Sequence, residues 1–201
     1  TEVQRLNKVV DALLADISAT NALDLRFQRL IAETALLRLF YTLDSVFEAV
    51  ALKLLTNVDY CDATVPTRLQ PVCKSVSAAA LRVAAARPKV QYVKWTTLAD
   101  CRKNLASFLP STEHLLVQRG VIDPVWEDMR HVRNHIAHGT RSTAGKFTPI
   151  VNRIYPTLPG GISPGKLLLS DRRAFLGAPN GKIIEQYLRW SKVAVKTLTK
   201  S

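Results

Sequence analysis

The sequence predicts an all-α protein, a compact bundle of about four to six helices with a Pro/Gly-rich basic loop or short hairpin before the last helix. Two observations favour this fold class. The chain of 201 residues is 47% hydrophobic with only 8 glycines, and its abundant alanine and leucine favour helices. Apolar residues also recur at steps of three and four, which is the period of an amphipathic helix. We therefore expect one helical domain over residues 1–201.

The first part of the chain predicts two long helices. Residues 2–19 place valine, leucine and isoleucine on one side of a helix, which Thr20 and Asn21 can end. Asp24 is a suitable N-cap for the next helix, and no glycine or proline follows until after Asn57. We expect one long helix here, or two nearly collinear ones, as the spine of the fold. The residues that broadly keep a helical period here are Phe27, Leu30, Thr34, Leu37, Tyr41, Phe47, Val50 and Leu54.

Prolines and capping residues divide the middle of the chain. A proline disfavours helical geometry in the residue before it, so Pro88 and Pro110 should each end a helix. Asp123 followed by Pro124 is typical of an N-cap and a first helical position, and it predicts the start of a helix that runs into the segment around Arg133. The other helices expected here cover residues 71–86, 95–109 and 111–119, with Gly120 ending the third.

Residues 140–181 differ in composition from the rest of the chain. Because several prolines and glycines interrupt them, we expect a basic loop insertion here. A short strand pair is expected within it, at about residues 147–155 and 166–169. Residues 182–198 then predict a C-terminal helix with its apolar residues partly on one face.

The charge is distributed unevenly. The chain carries 28 Lys and Arg against 16 Asp and Glu, a net charge of +12, yet residues 1–60 carry 6 basic and 8 acidic residues. From Met129 onward there are 13 basic residues and 2 acids, Asp171 and Glu185. This pattern is typical of a protein that binds a polyanion such as nucleic acid. A basic surface that keeps the protein in solution, or that meets an acidic protein, is the alternative.

Several classes of protein are disfavoured. No uninterrupted apolar run approaches the ~20 residues of a membrane-spanning helix, and no signal peptide is recognisable at the start. Cys61, Cys73 and Cys101 form no CxxC pair, which favours separate thiols in a reducing compartment. We therefore expect a cytoplasmic protein with no membrane partner and no cofactor.

The chemistry most informative about function lies in residues 131–139, HVRNHIAHG. Arg133 offers a permanently charged planar donor that suits a phosphate. His138 is the kind of side chain that exchanges a proton near neutral pH, and Asn134 can donate or accept a hydrogen bond. These residue types at this spacing indicate cleavage of a phosphodiester without a metal.

Two other interpretations of this segment stay open. Polar side chains near a helix end can bond the unpaired carbonyls of the last turn, and Gly139 can reverse the chain. Alternatively, His131, His135 and His138 have the spacing of one helix face and could share a zinc ion. A metal site is the weaker of the two, because no nearby cysteine or acid completes the ligands and Arg133 would repel a cation.

The string RNHIAHG over residues 133–139 resembles the signature of the HEPN superfamily, an arginine and a histidine separated by four to six residues. Asn directly after the arginine and Ala directly before the histidine are choices that this family prefers. The resemblance implies a compact bundle of four or five helices, with the motif near the third or fourth core helix. It spans most of the chain, although only the motif is specific and residues 140–181 are an elaboration.

The resemblance also implies a function, metal-independent endoribonuclease activity of the kind found in bacterial toxins, antiviral or phage-defence effectors and RNA-processing enzymes. Attack by a ribose 2′-hydroxyl would leave a 2′,3′-cyclic phosphate and a 5′-hydroxyl, so RNA would be cut and DNA would not. The implied catalytic residues are Arg133 for charge on the phosphate, His138 for proton transfer, and Asn134 to orient the histidine or bind phosphate. The implied partners are RNA, a second copy of the chain that completes a composite active site, and an antitoxin or regulatory sensor.

Other residues are predicted to support this site. His135, Arg130 and Arg141 lie in or beside the motif and are expected to line the cleft or bind RNA. Packing or capping at the bundle surface is the alternative for His135, and an ordinary surface charge is the alternative for each arginine. Some members of the superfamily place an acidic or polar residue from the earlier long helix near the motif. The candidates here are Glu33, Asp44 and Glu48, of which we select Glu48; a solvent-facing charge or ion pair is the alternative for each. Further basic residues that could contact phosphates as a group are Lys146, Arg153, Arg172 and Arg173, with an ordinary surface charge the alternative for each one. Aromatic residues that could stack on bases are Trp126, Phe147, Tyr155 and Trp190, with core packing the simpler interpretation of the two tryptophans.

Two alternatives to a ribonuclease follow from the same residues. A non-catalytic helical module of the HEPN type would bind RNA or a nucleotide, or serve as a dimerisation platform. A helical adaptor would use its basic surface to bind an acidic protein. Only the ribonuclease requires His138 for activity, and only RNA binding should weaken steeply with salt.

Overall fold

In the computed structural model, the described residues are 1–59, 72–88, 92–155, 157, 161–171 and 181–199. The regular structure of these residues consists of eight α-helices. Across these residues there is also a 3-10 turn, Thr20–Ala22, and there is no strand. The all-α fold class is therefore confirmed. The helices are α1 (Glu2–Ala19), α2 (Leu25–Thr56), α3 (Val76–Ala85), α4 (Leu98–Leu105), α5 (His114–His138), α6 (Arg141–Ile154), α7 (Pro164–Leu168) and α8 (Ile183–Thr199).

The terminal helices and the long second helix lie where the sequence predicts them. In front of α2, Asp24 acts as the expected cap, because its Oδ1 accepts a hydrogen bond of 2.7 Å from the backbone N–H of Arg26. This bond satisfies one of the donors that a helix N-terminus leaves without a partner. The absence of glycine and proline then allows α2 to continue as a single helix of 32 residues.

The middle of the chain differs from the prediction at one point. The two helices expected on either side of Gly120 are a single helix, α5, which contains both Gly120 and Pro124. Proline lacks an N–H and crowds the carbonyl four residues earlier, and here that carbonyl belongs to a glycine. Buried Leu116, Ile122 and Trp126 keep the helix packed across this interruption.

The expected loop at residues 140–181 is largely helical in its described part, so the loop and the strand pair are corrections. Residues 141–154 form α6 and residues 164–168 form α7. Residues 141–154 are helical because their apolar residues have a helical spacing. Phe147, Ile150 and Ile154 are all buried on one side of α6. Pro149 lies on the exposed side of α6, four residues after exposed Gly145, which repeats the arrangement of α5.

The described chain divides into two compact units. Unit 1 contains residues 1–7, 42–123 and 193–201, and unit 2 contains residues 8–41 and 124–192. Four helices, α1, α2, α5 and α8, contribute residues to both units. Unit 2 contains the whole motif together with α6 and α7.

The core of unit 2 is built around Trp126. This side chain is fully buried, and its ring lies 5.3 Å from that of Phe40 and 6.4 Å from that of Trp190, measured between centroids. Both tryptophans therefore take part in packing, the simpler of their two interpretations. The same core contains Met129 and Val132 from α5, so the helix that carries the motif is anchored one turn before Arg133.

Helix α7 approaches α2 closely in unit 2. A Cβ added at Gly165 would lie 2.7 Å from the Cβ of Arg29 and 2.8 Å from a carboxylate oxygen of Glu33. That oxygen accepts a hydrogen bond of 2.7 Å from the Gly165 N–H. Glycine is therefore required at this contact, and Glu33 acts as a structural acceptor.

The core of unit 1 encloses an arginine that the sequence analysis did not single out. The Arg119 side chain is 1% exposed. Its guanidinium donates to Asp123 (3.1 Å) and to the carbonyl of Thr96 (2.8 Å), and it lies over the ring of Phe47. These contacts supply partners to a charge that burial would otherwise strongly destabilise.

The first half of α2 exposes apolar side chains. Phe27 and Leu30 are each more than half exposed and Tyr41 is 77% exposed, although the sequence pattern indicated a buried stripe there. The buried side of this half is instead formed by Ala32, Ala35, Leu36, Leu39 and Phe40. Among the described residues, no helix has the length and apolar character needed to cross a membrane.

Candidate nucleic-acid cleavage site

The motif occupies the last two turns of α5. Arg133 and Asn134 are half-buried, whereas His138, the final residue of the helix, is exposed. On an α-helix, residues four apart share a face, while residues five apart lie roughly 140° apart. Asn134 and His138 therefore lie on one face, and the Cα of Arg133 lies on the next.

A hydrogen bond draws the arginine toward that face. Arg133 Nη1 donates to Asn134 Oδ1 over 3.1 Å. The Nε of Arg133 is buried and has no hydrogen-bond partner among the described residues. Because the amide oxygen of Asn134 is the acceptor, its nitrogen keeps two N–H groups that can bind an anion. The guanidinium, this amide and the exposed imidazole thus follow one another along the end of α5.

A tight corner joins α5 to α6 directly after His138. Gly139 has a φ of +57°, a left-handed conformation that glycine adopts without strain. Its N–H donates to the carbonyl of His135 over 3.0 Å. The Thr140 hydroxyl then caps α6, and the Thr143 hydroxyl accepts a hydrogen bond from the backbone N–H of Thr140. This corner fixes the position of His138 at the end of α5.

His135 packs against α6. Its Nδ1 lies 3.0 Å from the Thr143 hydroxyl, and its ring stacks on that of Phe147 with 4.8 Å between centroids. Phe147 is only 4% exposed, so its proposed stacking on an RNA base is a correction: it stacks on the protein's own histidine. The expectation that His135 lines the cleft or binds RNA stays a prediction, beside this evident packing role.

About two turns before His135, charged groups of α5 and α6 form a second link. Asp128 accepts a hydrogen bond from Arg153. Burial raises the pKa of Asp128, while the Arg153 charge opposes this shift. Burial, assisted by the Arg130 charge, lowers the pKa of His131, with Glu127 opposing. His131 is therefore neutral at neutral pH and adds no positive charge to this part of the helix.

The basic residues near the motif fall into two groups. Arg130 is ion-paired with Glu127, and Arg153 is paired with Asp128, so acids partly neutralise their charges. Arg133, Arg141 and Lys146 form no ion pair within the part of the chain that the structure describes. Arg141 and Lys146 are exposed on α6. The second group therefore provides net positive charge around the end of α5, and residues 172 and 173 lie outside the described residues.

The acidic residues proposed from the long helix have other neighbours. Glu33 bonds Gly165, as described above, and Asp44 accepts hydrogen bonds from Tyr92 and Thr96. Glu48 belongs to unit 1 and not to the unit that contains the motif. Burial, and then the adjacent Asp44 carboxylate, raise the pKa of Glu48. Its support of the motif stays a prediction.

One further observation concerns metal ligands. Within the described ranges, no group of three or more His, Cys, Asp or Glu side chains could hold a metal ion.

The contact between α5 and α6 through Thr143 and Phe147 was not predicted from the sequence, because the Thr140-x-x-Thr143 cap lacks the usual acid or amide at its last position. Arginine, asparagine and histidine at an exposed helix end can bind a phosphate and move a proton.

No protein-family model, no curated protein and no solved structure matches the chain.

Proposed function

We propose that this protein is a metal-independent endoribonuclease whose site contains Arg133, Asn134 and His138. The observation that carries the proposal is the hydrogen bond from Arg133 to Asn134 one turn before the exposed His138. It brings a permanent positive charge, amide donors and an imidazole to the same helix end. The resemblance of residues 133–139 to the HEPN signature supports the same function.

These three residues supply the parts that RNA cleavage by internal transesterification needs. The ribose 2′-oxygen attacks the adjacent phosphorus and the bond from phosphorus to the 5′-oxygen breaks, which leaves a 2′,3′-cyclic phosphate and a 5′-hydroxyl. A neutral imidazole can take the 2′-hydroxyl proton, and an imidazolium can protonate the departing 5′-oxygen. Arg133 stabilises the charge on the non-bridging oxygens, with Asn134 positioning it.

The proposed active unit is a homodimer with a composite site. One chain offers a single His138, whereas the reaction uses one proton acceptor and one proton donor. Two chains with their α5 ends facing each other would supply both, together with two Arg133 guanidiniums. A toxin or an antiviral defence effector, held inactive by an antitoxin or a sensor, is the biological setting that we propose.

His138→Ala should lower the rate of RNA cleavage by ~10²-fold or more, because general acid–base catalysis typically contributes that much. Arg133→Ala should lower it by a similar ~10²–10³-fold through lost charge stabilisation. The measurement is cleavage of a labelled single-stranded RNA in EDTA, with end-group analysis for the cyclic phosphate. The same oligonucleotide with 2′-O-methyl groups should not be cut.

A matched control is Arg5→Ala, which removes an exposed arginine of α1 and should leave the rate unchanged. Circular dichroism would establish that each variant remains folded. If wild type and His138→Ala cut a broad set of RNAs equally, or if EDTA abolishes cutting, the proposal is wrong. RNA binding without cleavage would instead indicate the non-catalytic RNA-binding module.

A further inference from the structure

Unit 1 contains a small surface pocket that has no part in the proposed cleavage. Its volume is about 180 Å³, and it is lined by Arg87, Tyr92, Val93, Lys94, Asp100 and Asn104. Ligand sites for drug-sized molecules are roughly 300–1,000 Å³. The pocket therefore accommodates one ring system and not an extended oligomer.

The aromatic wall of the pocket is accessible and held in place. Tyr92 is 57% exposed. Its hydroxyl donates to a carboxylate oxygen of Asp44 over 3.1 Å, and the other oxygen of Asp44 accepts from the Thr96 hydroxyl. A tyrosine tethered at its far end loses little freedom when a flat ring stacks on it. This suits the binding of a nucleobase.

The polar wall offers acceptors. Asn104 is 3% exposed, and its amide nitrogen donates to the carbonyl of Lys94 over 2.7 Å, which leaves the amide oxygen to accept a hydrogen bond from a ligand. One carboxylate oxygen of Asp100 accepts from Thr97 over 2.7 Å, so the other is available. Such acceptors match the N–H groups of a base or the hydroxyls of a ribose.

The rest of the lining provides positive charge. Lys94 is exposed and Arg87 is half-buried, so both can present their cationic ends to a phosphate at the mouth of the pocket. The Asp100 carboxylate would repel that phosphate from the polar wall. The lining therefore combines an aromatic face, hydrogen-bond acceptors and cationic side chains.

We propose that this pocket binds one ribonucleotide unit, with the base on Tyr92, base or ribose donors on Asn104 and Asp100, and the phosphate at Lys94 and Arg87. The site is distinct in sequence and in unit from the motif in α5. It can therefore bind a free mononucleotide whether or not the motif cuts RNA.

Isothermal titration calorimetry of the full chain with each of the four ribonucleoside 5′-monophosphates tests this proposal. Saturable binding of at least one of them, at one molecule per chain, is expected. Tyr92→Ala should raise its Kd by roughly 5- to 150-fold, which corresponds to losing the stacking of one base on an aromatic ring. Tyr92→Phe, which keeps the ring, should change the Kd far less. Because a mononucleotide contains no internucleotide bond, the titration is independent of the proposed cleavage.

Matched variants separate the phosphate from the base. Lys94→Glu should strongly weaken binding of the nucleotide and should weaken binding of the corresponding nucleoside little. Lys103 is an exposed lysine of α4 outside the pocket lining, and Lys103→Glu should change the affinity for neither ligand. Tyr41→Ala, at an exposed tyrosine of α2, is the control for Tyr92→Ala. The proposal is overturned if no mononucleotide binds, or if Tyr92→Ala and the control Tyr41→Ala have the same Kd for the nucleotide. It is also overturned if inorganic phosphate binds as tightly as the nucleotide.

Discussion

At the scale of single residues, one hydrogen bond defines what Asn134 could contribute to the proposed site. Its amide oxygen accepts from Arg133, so its part in the proposed site is to position the guanidinium and to offer N–H groups to phosphate. The alternative in which it orients the imidazole of its own chain has no hydrogen bond to support it among the described residues. The residue types of the motif were informative in the sequence, whereas the direction of this hydrogen bond required coordinates.

Glu48 allows a prediction about pH. Because its pKa is raised in the folded protein, the folded state holds this proton more tightly than the unfolded state. The free energy of unfolding therefore falls as pH rises from the reference pKa of about 4.3 through the raised value. Glu48→Gln should be more stable than wild type at pH 7, and the difference should shrink as pH falls toward 4. Thermal unfolding midpoints across this range are the measurement.

Asp16→Asn, at an exposed carboxylate of α1, is the control for this comparison and should change the midpoint little at any pH. Glu48→Gln should also be assayed for RNA cleavage. A lower rate with a higher midpoint would support the predicted role of Glu48 at the motif. A lower midpoint at pH 7 would contradict the stability prediction.

At the scale of helices, glycines make opposite contributions. Gly165→Ala should destabilise the protein by ~1–3 kcal/mol, because the new Cβ would overlap the Arg29 side chain of α2. Gly145→Ala should stabilise it by ~0.5–1 kcal/mol, because this position in α6 has open space around it and alanine restricts the unfolded chain. Chemical denaturation of the two variants beside wild type measures both effects. Equal effects of the two substitutions would contradict the contact at Gly165.

Helix boundaries show where sequence reasoning succeeds and where it fails. The ends of α1, α2 and α8 were predictable because local caps and uninterrupted apolar spacing agree. Gly120 with Pro124, and Gly145 with Pro149, are strong local breaking signals, yet both pairs lie inside helices. Tertiary packing of the apolar side of each helix outweighed the local preference. The breaking signals at Gly145 and Pro149, together with the unusual cap at Thr140, hid the link from His135 to α6.

The buried side of α2 could not be chosen from the sequence alone. Leucine, alanine and phenylalanine occur on more than one side of its first half, so several stripes satisfy a helical period. Phe27, Leu30 and Tyr41 formed one such stripe, but the structure buries the side containing Ala32 and Leu39. The choice depends on which neighbouring helices are present, and spacing within one helix contains no information about them.

At the scale of the whole molecule, the proposed composite site predicts complementation between inactive chains. Arg133→Ala and His138→Ala should each be nearly inactive as pure dimers. A mixed dimer, isolated by two different tags after co-expression, retains one arginine and one histidine at the shared site. We expect its cleavage rate to exceed that of either parent by roughly tenfold or more, because the His138→Ala dimer lacks both imidazoles and the Arg133→Ala dimer lacks both guanidiniums, whereas the mixed dimer keeps one of each. Cleavage of labelled RNA by the purified mixed dimer is the measurement.

A dimer of two differently tagged His138→Ala chains is the control and should remain inactive. Mixed dimers that are no more active than their parents would contradict a shared site. A wild-type chain that is monomeric at every concentration and still fully active would contradict it as well.

The exposed apolar side chains at the start of α2 have a consequence for the choice of ionic strength. Copies of a chain with a net charge of +12 repel one another, and salt shortens the range of that repulsion to about 10 Å at 0.1 M. Contact between copies through Phe27, Leu30 and Tyr41 would therefore strengthen as salt is added. Binding of RNA phosphates weakens under the same change, because releasing counterions into a more concentrated salt solution gains less free energy. An assay at a single salt concentration would therefore favour either self-association of the chain or its binding to RNA, at the expense of the other.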